Sequence, residues 1–159
     1  MNFKAAMRPA VSFCLLTHLF FTCGCTLVVE KVEKFGVNDH QYEYPPAIGS
    51  REDPDFRFCC NGTISTHTSE FDKGRYEIVI KAKGTPAYEV YPLIRVLLNN
   101  TVQKEIRLDG DYTTYRIPFV LQEKKTIGVQ IQFDQDGVDD KGNDRDVLIR
   151  KISVVPAEH

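Results

Sequence analysis

The segment Phe133-Asp-Gln-Asp-Gly-Val-Asp-Asp-Lys-Gly-Asn-Asp-Arg-Asp-Val147 gathers the side chains of this 159-residue chain with the most evident capacity for chemistry. It carries six aspartates (134, 136, 139, 140, 144 and 146) against Lys141 and Arg145, two positive charges against six negative, a formal charge of −4. Hard oxygen donors crowded on a Gly-containing loop suit calcium, which takes six to eight oxygens and tolerates irregular geometry. A solvated acidic turn joining two strands is the alternative. An EF-hand is excluded: counted from Asp134, Gly137 stands fourth rather than sixth, and Arg145 fills the twelfth place, where a bidentate Glu belongs.

The flanking elements read as strands. Gly74–Gly84 alternates, with Tyr76, Ile78, Ile80 and Ala82 on one face and Glu77, Lys81 and Lys83 on the other. Pro92–Leu98 offers Ile94, Val96 and Leu98 inward, and Val102–Leu108 follows after the turn-like Asn99-Asn100. Tyr112–Leu121 sets Thr113, Tyr115, Ile117, Phe119 and Leu121 on one side, and Ile127, Val129, Ile131 and Phe133 line the strand that enters the acidic segment. Beyond it the apolar parity changes from Val147 and Ile149 to Ile152 and Val154, which predicts a bulge near Arg150–Lys151. Strands at this spacing, with Gly, Asn and Asp between them, predict an all-β fold: a β-sandwich of jelly-roll type built from antiparallel strands.

The N-terminus points to export. Lys4 and Arg8 precede an apolar stretch, Ala10–Phe21, too short to span a bilayer as a helix. Thr22-Cys-Gly-Cys25 follows and resembles a lipobox cut after Gly24, which makes Cys25 the lipidated residue; an ordinary secretory signal cut nearby is the alternative. Either way the domain is exported, and with a lipobox it sits in the cell envelope, held to a membrane. The chain then divides into a signal peptide (1–24), a lipidated N-terminus and tether (25–55) and the sandwich (56–155). Within the second part, Thr26–Gly36 could form an edge strand through Leu27, Val28, Val29 and Val32, while His40–Asp55 reads as loop or tether.

Two cysteines of the domain stand side by side, Cys59 and Cys60. On a strand they would face opposite ways, giving one buried and one outward thiol; a strained vicinal disulfide is the alternative. No CxxC or Cys/His cluster suggests zinc. Removing residues 1–24 leaves 135 residues with 18 basic and 22 acidic side chains, a mild acidity that argues against nucleic acid as partner. Asn61-Gly-Thr63 and Asn99-Asn-Thr101 match the glycosylation sequon but read better as strand and turn residues. Enzymatic activity finds little support. Carboxylates crowded beside a cation stay ionised, whereas glycoside hydrolysis needs one acid of raised pKa at a set separation from another. No Ser/His/Asp pattern is present.

Asn61-Gly-Thr-Ile64, Phe71-Asp-Lys-Gly-Arg-Tyr76, Ile80-Lys-Ala-Lys-Gly-Thr-Pro86, Tyr91-Pro92 and Phe133…Asp136…Gly142-Asn-Asp-Arg-Asp-Val147 together resemble the calcium-dependent xylan-binding carbohydrate-binding modules, families thirty-six and sixty. The family's Asn-Asp pair and closing Gly-x-Asp-Arg-Asn-Leu stand here as Gln135-Asp136 and Gly142-Asn-Asp-Arg-Asp-Val147. The resemblance implies a calcium ion that itself touches adjacent sugar hydroxyls. Carried over, its ligands are Asp136, Asp144 and the Asn143 carbonyl. Asp134, Asp139 and Asp140 are expected to face solvent or tune the metal, and Asp146 to add charge or pair with Arg145. Tyr88 or Tyr91 is expected to stack on a sugar ring, though Tyr91 packing at the end of the sandwich is the other reading. The function so implied is non-catalytic, calcium-dependent polysaccharide binding; the alternative is an envelope assembly protein in which calcium only stiffens the loop.

The anchor has a direct test. Cys25→Ala should move the protein from the membrane to the soluble fraction, because the several chains of a lipoprotein hold far better than one. Unchanged partitioning would refute lipidation at Cys25.

Overall fold

The computed structural model describes residues 33–37, 40–66 and 69–158. Thirteen strands run through them: β1 (Glu33–Val37), β2 (His40–Tyr44), β3 (Gly49–Glu52), β4 (Asp55–Phe58), β5 (Gly62–Thr66), β6 (Ser69–Phe71), β7 (Gly74–Gly84), β8 (Leu93–Leu98), β9 (Thr101–Arg107), β10 (Thr113–Leu121), β11 (Lys125–Ile127), β12 (Val129–Phe133) and β13 (Val147–Pro156). One sheet has the order β1-β2-β5-β12-β8-β9, the other β10-β7-β13-β4-β3, and β11 and β6 form a short ribbon. The strand pairings are antiparallel. This is an all-β sandwich. Among the described residues no helix is long and apolar enough to cross a membrane.

The alternation of apolar residues builds the interior. In β12, Val129, Ile131 and Phe133 are buried while Gln130 and Gln132 are less so, and Ile131 lies in register between Ile64 of β5 and Val96 of β8. In β13, Ile149 lies between Phe56 of β4 and Ala82 of β7. The sheets meet through aromatic edges: Tyr44 against Phe56 at 4.6 Å between centroids, and Phe58 against Phe133 at 6.0 Å. Each fully buried aliphatic or aromatic side chain contributes about 1.5–3 kcal/mol relative to exposure. The expected faces of β7, β8, β10 and β12 are those observed, and the β13 register shifts between Ile149 and Lys151, where the bulge is predicted. Asn99 and Asn100 take φ of 47° and 65°, as a tight two-residue hairpin turn requires. Pro118 sits midway along β10, an edge of its sheet.

Two expectations need correction. Residues 40–55 are not a loose tether, because they supply β2, a 3-10 turn (Pro46–Ile48) and β3. The cause is the alternation Tyr42-Glu43-Tyr44, which buries both rings, and the Tyr42 hydroxyl donates to the Ile152 carbonyl at 2.7 Å. The sheets therefore take in strands that precede residue 56. An edge strand does form N-terminally, over Glu33–Val37; residues 26–32, Cys25 and the signal segment lie outside the described residues. The second correction concerns Cys59 and Cys60. Neither is buried and no disulfide joins them. The strand β4 stops at Phe58, and both cysteine amides turn to donate to the Ile48 carbonyl, at 3.1 and 3.3 Å, so strand parity no longer applies.

The Tyr42 hydroxyl makes β2 testable as part of the fold. Tyr42→Phe should cost about 1–2 kcal/mol, because a buried carbonyl loses its donor. An unchanged urea midpoint would show that β2 does not dock as described.

Candidate functional site

The register brings four connections to one end of the sandwich. Val147 faces both Phe58 and Gly84, and Phe133 faces both Gly62 and Ile94. The turn 59–61, the loops 85–92 and 108–112, and the acidic segment 134–146 therefore share that end. A Cβ on Gly84 would run into the Pro92 ring, so glycine there lets the second loop fold back over the strand end.

Arg145 ties two of these loops together. Its Nε donates to the Val90 carbonyl at 2.9 Å, and its two terminal nitrogens donate to the carbonyls of Gln135 at 3.0 Å and Ala87 at 2.8 Å. A planar fork puts a separate nitrogen on each of the three carbonyls, whereas an ammonium would have to reach all three from one nitrogen. Thr85 adds a second tie: its hydroxyl donates to the Asp144 carbonyl at 2.6 Å and accepts the Asp146 amide at 2.8 Å, while its own amide donates to the Asp146 carbonyl at 3.0 Å. Arg107 adds a third, donating to the Tyr91 carbonyl at 2.6 Å and to Gln135 Oε1 at 3.1 Å.

Inside the acidic segment Asp139 acts as the organiser. Its Oδ1 accepts the amides of Lys141 (2.9 Å) and Asn143 (2.8 Å), and its Oδ2 accepts the Asn143 side-chain amide (2.8 Å) and the Tyr88 amide (3.4 Å). These donors, the Asn143 side chain foremost, hold its carboxyl below the usual range. Gly142, at φ 80°, closes the turn onto the Asp139 carbonyl. Asp134 is held by an ion pair with Arg95, and Asp140 accepts the Tyr88 hydroxyl at 3.1 Å. None of the three is a free carboxylate awaiting a metal.

Asp136, Asp144 and Asp146 differ from those three. Asp136 donates its amide to Asn61 Oδ1 at 2.8 Å, but its side-chain Oδ1 is buried without a hydrogen-bond partner. Burial, then the charges of Asp144 and Asp146, raise its pKa. Asp146 is 1% exposed and paired through Oδ2 with Arg57, not with Arg145; its Oδ1 is likewise buried and unpartnered. Asp144 stands on the wall of an open cavity of about 890 Å³. Tyr88, Asp139, Asn143 and Asp146 also line that cavity, and Asp136 and Tyr91 do not. Tyr91 instead lies beside Gly110. The Asn143 carbonyl, expected as a ligand, accepts the Asp139 amide at 2.9 Å and keeps a second lone pair. Among the described residues no three His, Cys, Asp or Glu side chains are grouped to hold a metal.

Tyr88 and Glu89 take left-handed backbone, φ 52° and 62°, at the tip of a hairpin closed by Ala87 and Val90. Such backbone costs non-glycine residues energy and persists where surroundings enforce it. Here the Asp139 and Asp140 carboxylates do so, leaving the Tyr88 ring 58% exposed at the cavity. Sequence reasoning missed Arg57, Thr85 and Arg145 as positioning residues. Only Asp139 had a local signal, an Asp three residues before a Gly.

No protein-family model matches the sequence, and no curated protein does. Among solved structures the chain is similar to the CBM4 module, at TM-score 0.43 and 14% identity, covering 82% of this chain and 81% of that one. It is similar also to a family two carbohydrate esterase from Cellvibrio japonicus, at TM-score 0.41 and 14% identity over 80% of this chain, although the match spans only 33% of the esterase's length. A family 35 carbohydrate binding module from an environmental isolate gives 0.40 and 14%, over 64% of this chain and 74% of its own. Carbohydrate-binding modules recur among these neighbours. At such scores the ligand has to be argued from the residues of the site.

Arg145 is the side chain whose removal should loosen the whole end. Arg145→Ala should cost about 1.5–3 kcal/mol, and Arg145→Lys should recover little of it. Amide exchange at Tyr88 and Asn143 should quicken in both variants; wild-type protection in either would remove Arg145 from this role.

Proposed function

We propose that this chain is a non-catalytic carbohydrate-binding sandwich whose acidic loop takes a calcium ion, and that Cys25 anchors it to a membrane from the outside. The observation that carries the reading is the buried, unpartnered carboxylate oxygen Asp136 Oδ1, within charge range of Asp144 and Asp146. Buried carboxylate oxygens without donors are costly, and a cation is the ordinary remedy. The donor set is hard oxygen throughout, which fits calcium and not a thiophilic metal.

Asp136 and Asp144 would hold the ion, with the free lone pair of the Asn143 carbonyl as a third donor. Since no further acidic side chain joins them, other oxygens fill the shell, and two adjacent sugar hydroxyls present that pair of donors. When bound, calcium supplies a positive centre that accepts neutral hydroxyl oxygens. The chain's own residues do the rest. Asp144 faces the cavity from a backbone fixed by Thr85, and Tyr88 offers an exposed ring on the same wall. Asp134 and Asp139 are committed elsewhere, so neither can replace Asp136. The alternative, a loop merely stiffened by calcium, is disfavoured because Arg145, Thr85 and Asp139 already fix that loop by hydrogen bonds.

Asp136 gives the reading a sign. Its raised pKa means that the folded state holds this proton more tightly than the unfolded chain. That contribution to stability is full below the unfolded pKa and is lost as pH rises through the folded one. At neutral pH the ionised carboxylate is therefore a burden on the metal-free domain. Asp136→Asn should raise the melting temperature without calcium and abolish the rise that calcium gives wild type, worth about 2.7 kcal/mol at one hundred times Kd. A glycan array run with calcium and with chelator tests the binding itself. Asp144→Asn should lose polysaccharide binding while Asp140→Asn keeps it. A calcium-dependent melting rise with no glycan bound would leave only the stiffening role.

A further inference from the structure

We infer that the outer face of the β10-β7-β13-β4-β3 sheet binds the acid groups of an anionic polysaccharide through Lys81, Lys83 and Lys151. Strand parity places the three. Ile80, Ala82 and Ile152 turn into the core, so Lys81, Lys83 and Lys151 stand on the opposite side of the sheet. Lys83 lies across from Leu148, which lies across from Arg57, and Lys81 lies directly across from Lys151. Like charges facing one another on adjacent strands destabilise a sheet, and an anion laid over the pair relieves that repulsion. Among the described residues the carboxylates nearby are taken by arginines: Asp55 by Arg150 at 2.9 Å, Glu77 by Arg116 at 2.7 Å, and Glu52 and Asp146 by Arg57. The three lysines are left without an ion pair among those residues, and Lys83 rests over the Tyr112 ring at 4.9 Å.

The occupant follows from where this face begins and from what it lacks. Arg57 and Thr85 line the cavity at the site end, and Lys83 stands two residues, roughly 7 Å along an extended chain, before Thr85. A polymer seated in that cavity can therefore continue over Leu148 and Lys83 to the Lys81–Lys151 pair. The acidic segment repels acid groups from the cavity itself, so those groups fall on the lysines. Ammonium ions on flexible stems are point charges, which suits acid groups spaced along a flexible polymer. A lipid surface is the poorer match, because interfacial binding adds buried apolar area to charge. Among the described residues Val120 is the only exposed large apolar side chain of this sheet, and it lies at the far end, opposite Arg75. The choice of a polysaccharide rests on the carbohydrate-binding function proposed for the chain, but the lysine face itself needs no calcium.

The test is affinity electrophoresis of the full chain carrying Cys25→Ala, so that no acyl chain contributes. Gels contain polygalacturonate, dextran sulfate or neutral dextran, and each mobility is taken relative to a gel without polymer. Chelator silences the calcium site, so retardation then reports on the lysine face alone. Polygalacturonate, dextran sulfate or both should retard the protein, identifying the acid group as carboxylate or sulfate, and neutral dextran should not. Lys81→Gln/Lys83→Gln/Lys151→Gln should weaken the retardation about tenfold, as the loss of three exposed charge contacts allows, while Asp144→Asn should leave it intact. Lys104→Gln/Lys124→Gln/Lys125→Gln makes the same change in net charge elsewhere and should alter it little. Glutamine keeps part of each stem, and far-ultraviolet circular dichroism checks that both triple variants keep the fold. Equal loss in the two triple variants would overturn the proposal, as would failure of both acidic polymers to retard the parent chain. Tighter binding to phosphatidylglycerol vesicles than to either polymer, lost in the Lys81/Lys83/Lys151 variant, would overturn it in favour of a lipid surface. Retardation by an acidic polymer in a chain that binds no neutral glycan with calcium would sink the calcium site and leave the lysine face standing.

Discussion

The site end of this molecule depends on β12 and β13 being interior strands of two different sheets. Each is buried on its inner face and hydrogen-bonded on both sides, so Phe133 and Val147 are held as firmly as any residues in the chain. The acidic segment between them is thereby anchored at both ends on opposite halves of the sandwich. Its thirteen residues must bridge the sheets, and they do so across the mouth of the apolar interior. The sandwich core thus sets where the carboxylates stand, although no carboxylate belongs to that core's apolar cluster.

Given those fixed ends, the segment sorts its aspartates by partner. Asp134 goes to Arg95, Asp139 to the loop's own amides and Asp140 to Tyr88, and each lies on the outer part of the segment. Asp136 and Asp146 are turned inward, each with one oxygen lacking a donor. Six aspartates in one loop are therefore not one acidic patch: Asp134, Asp139, Asp140 and Asp146 are engaged with neighbouring donors, while Asp136 keeps a buried oxygen without one and Asp144 lines the cavity.

Much of the fold was legible in the sequence because period-2 burial is a local signal. The β7 run Tyr76, Ile78, Ile80, Ala82 is an example, and the parity change after Ile149 marked the bulge. Residues 40–55 were misread because Pro, Asp, Glu and Tyr resemble a linker by composition. Their docking depends on Tyr42 reaching Ile152, 110 positions away. The same distance effect hid Arg57, whose partner Asp146 lies 89 positions on, and Arg145, whose acceptors are mostly backbone carbonyls of another loop. Side chains that bind backbone leave no pairing of charges in the sequence to notice. The types of the candidate ligands could be read directly; which aspartates remain free could not, since that follows from what their neighbours already bind.

Pro118 has a consequence for how this sandwich meets its own kind. It lies midway along β10, whose outer side has no strand beside it, and its backbone nitrogen carries no hydrogen. A further strand laid against that edge would find an acceptor row with a donor missing at its centre. The register to β7 runs on through the Pro118–Glu77 pair, and an edge strand accommodates proline with its nitrogen on the open side. Where copies of this domain meet at high concentration, that rim resists templated aggregation without spending a charged residue on the task.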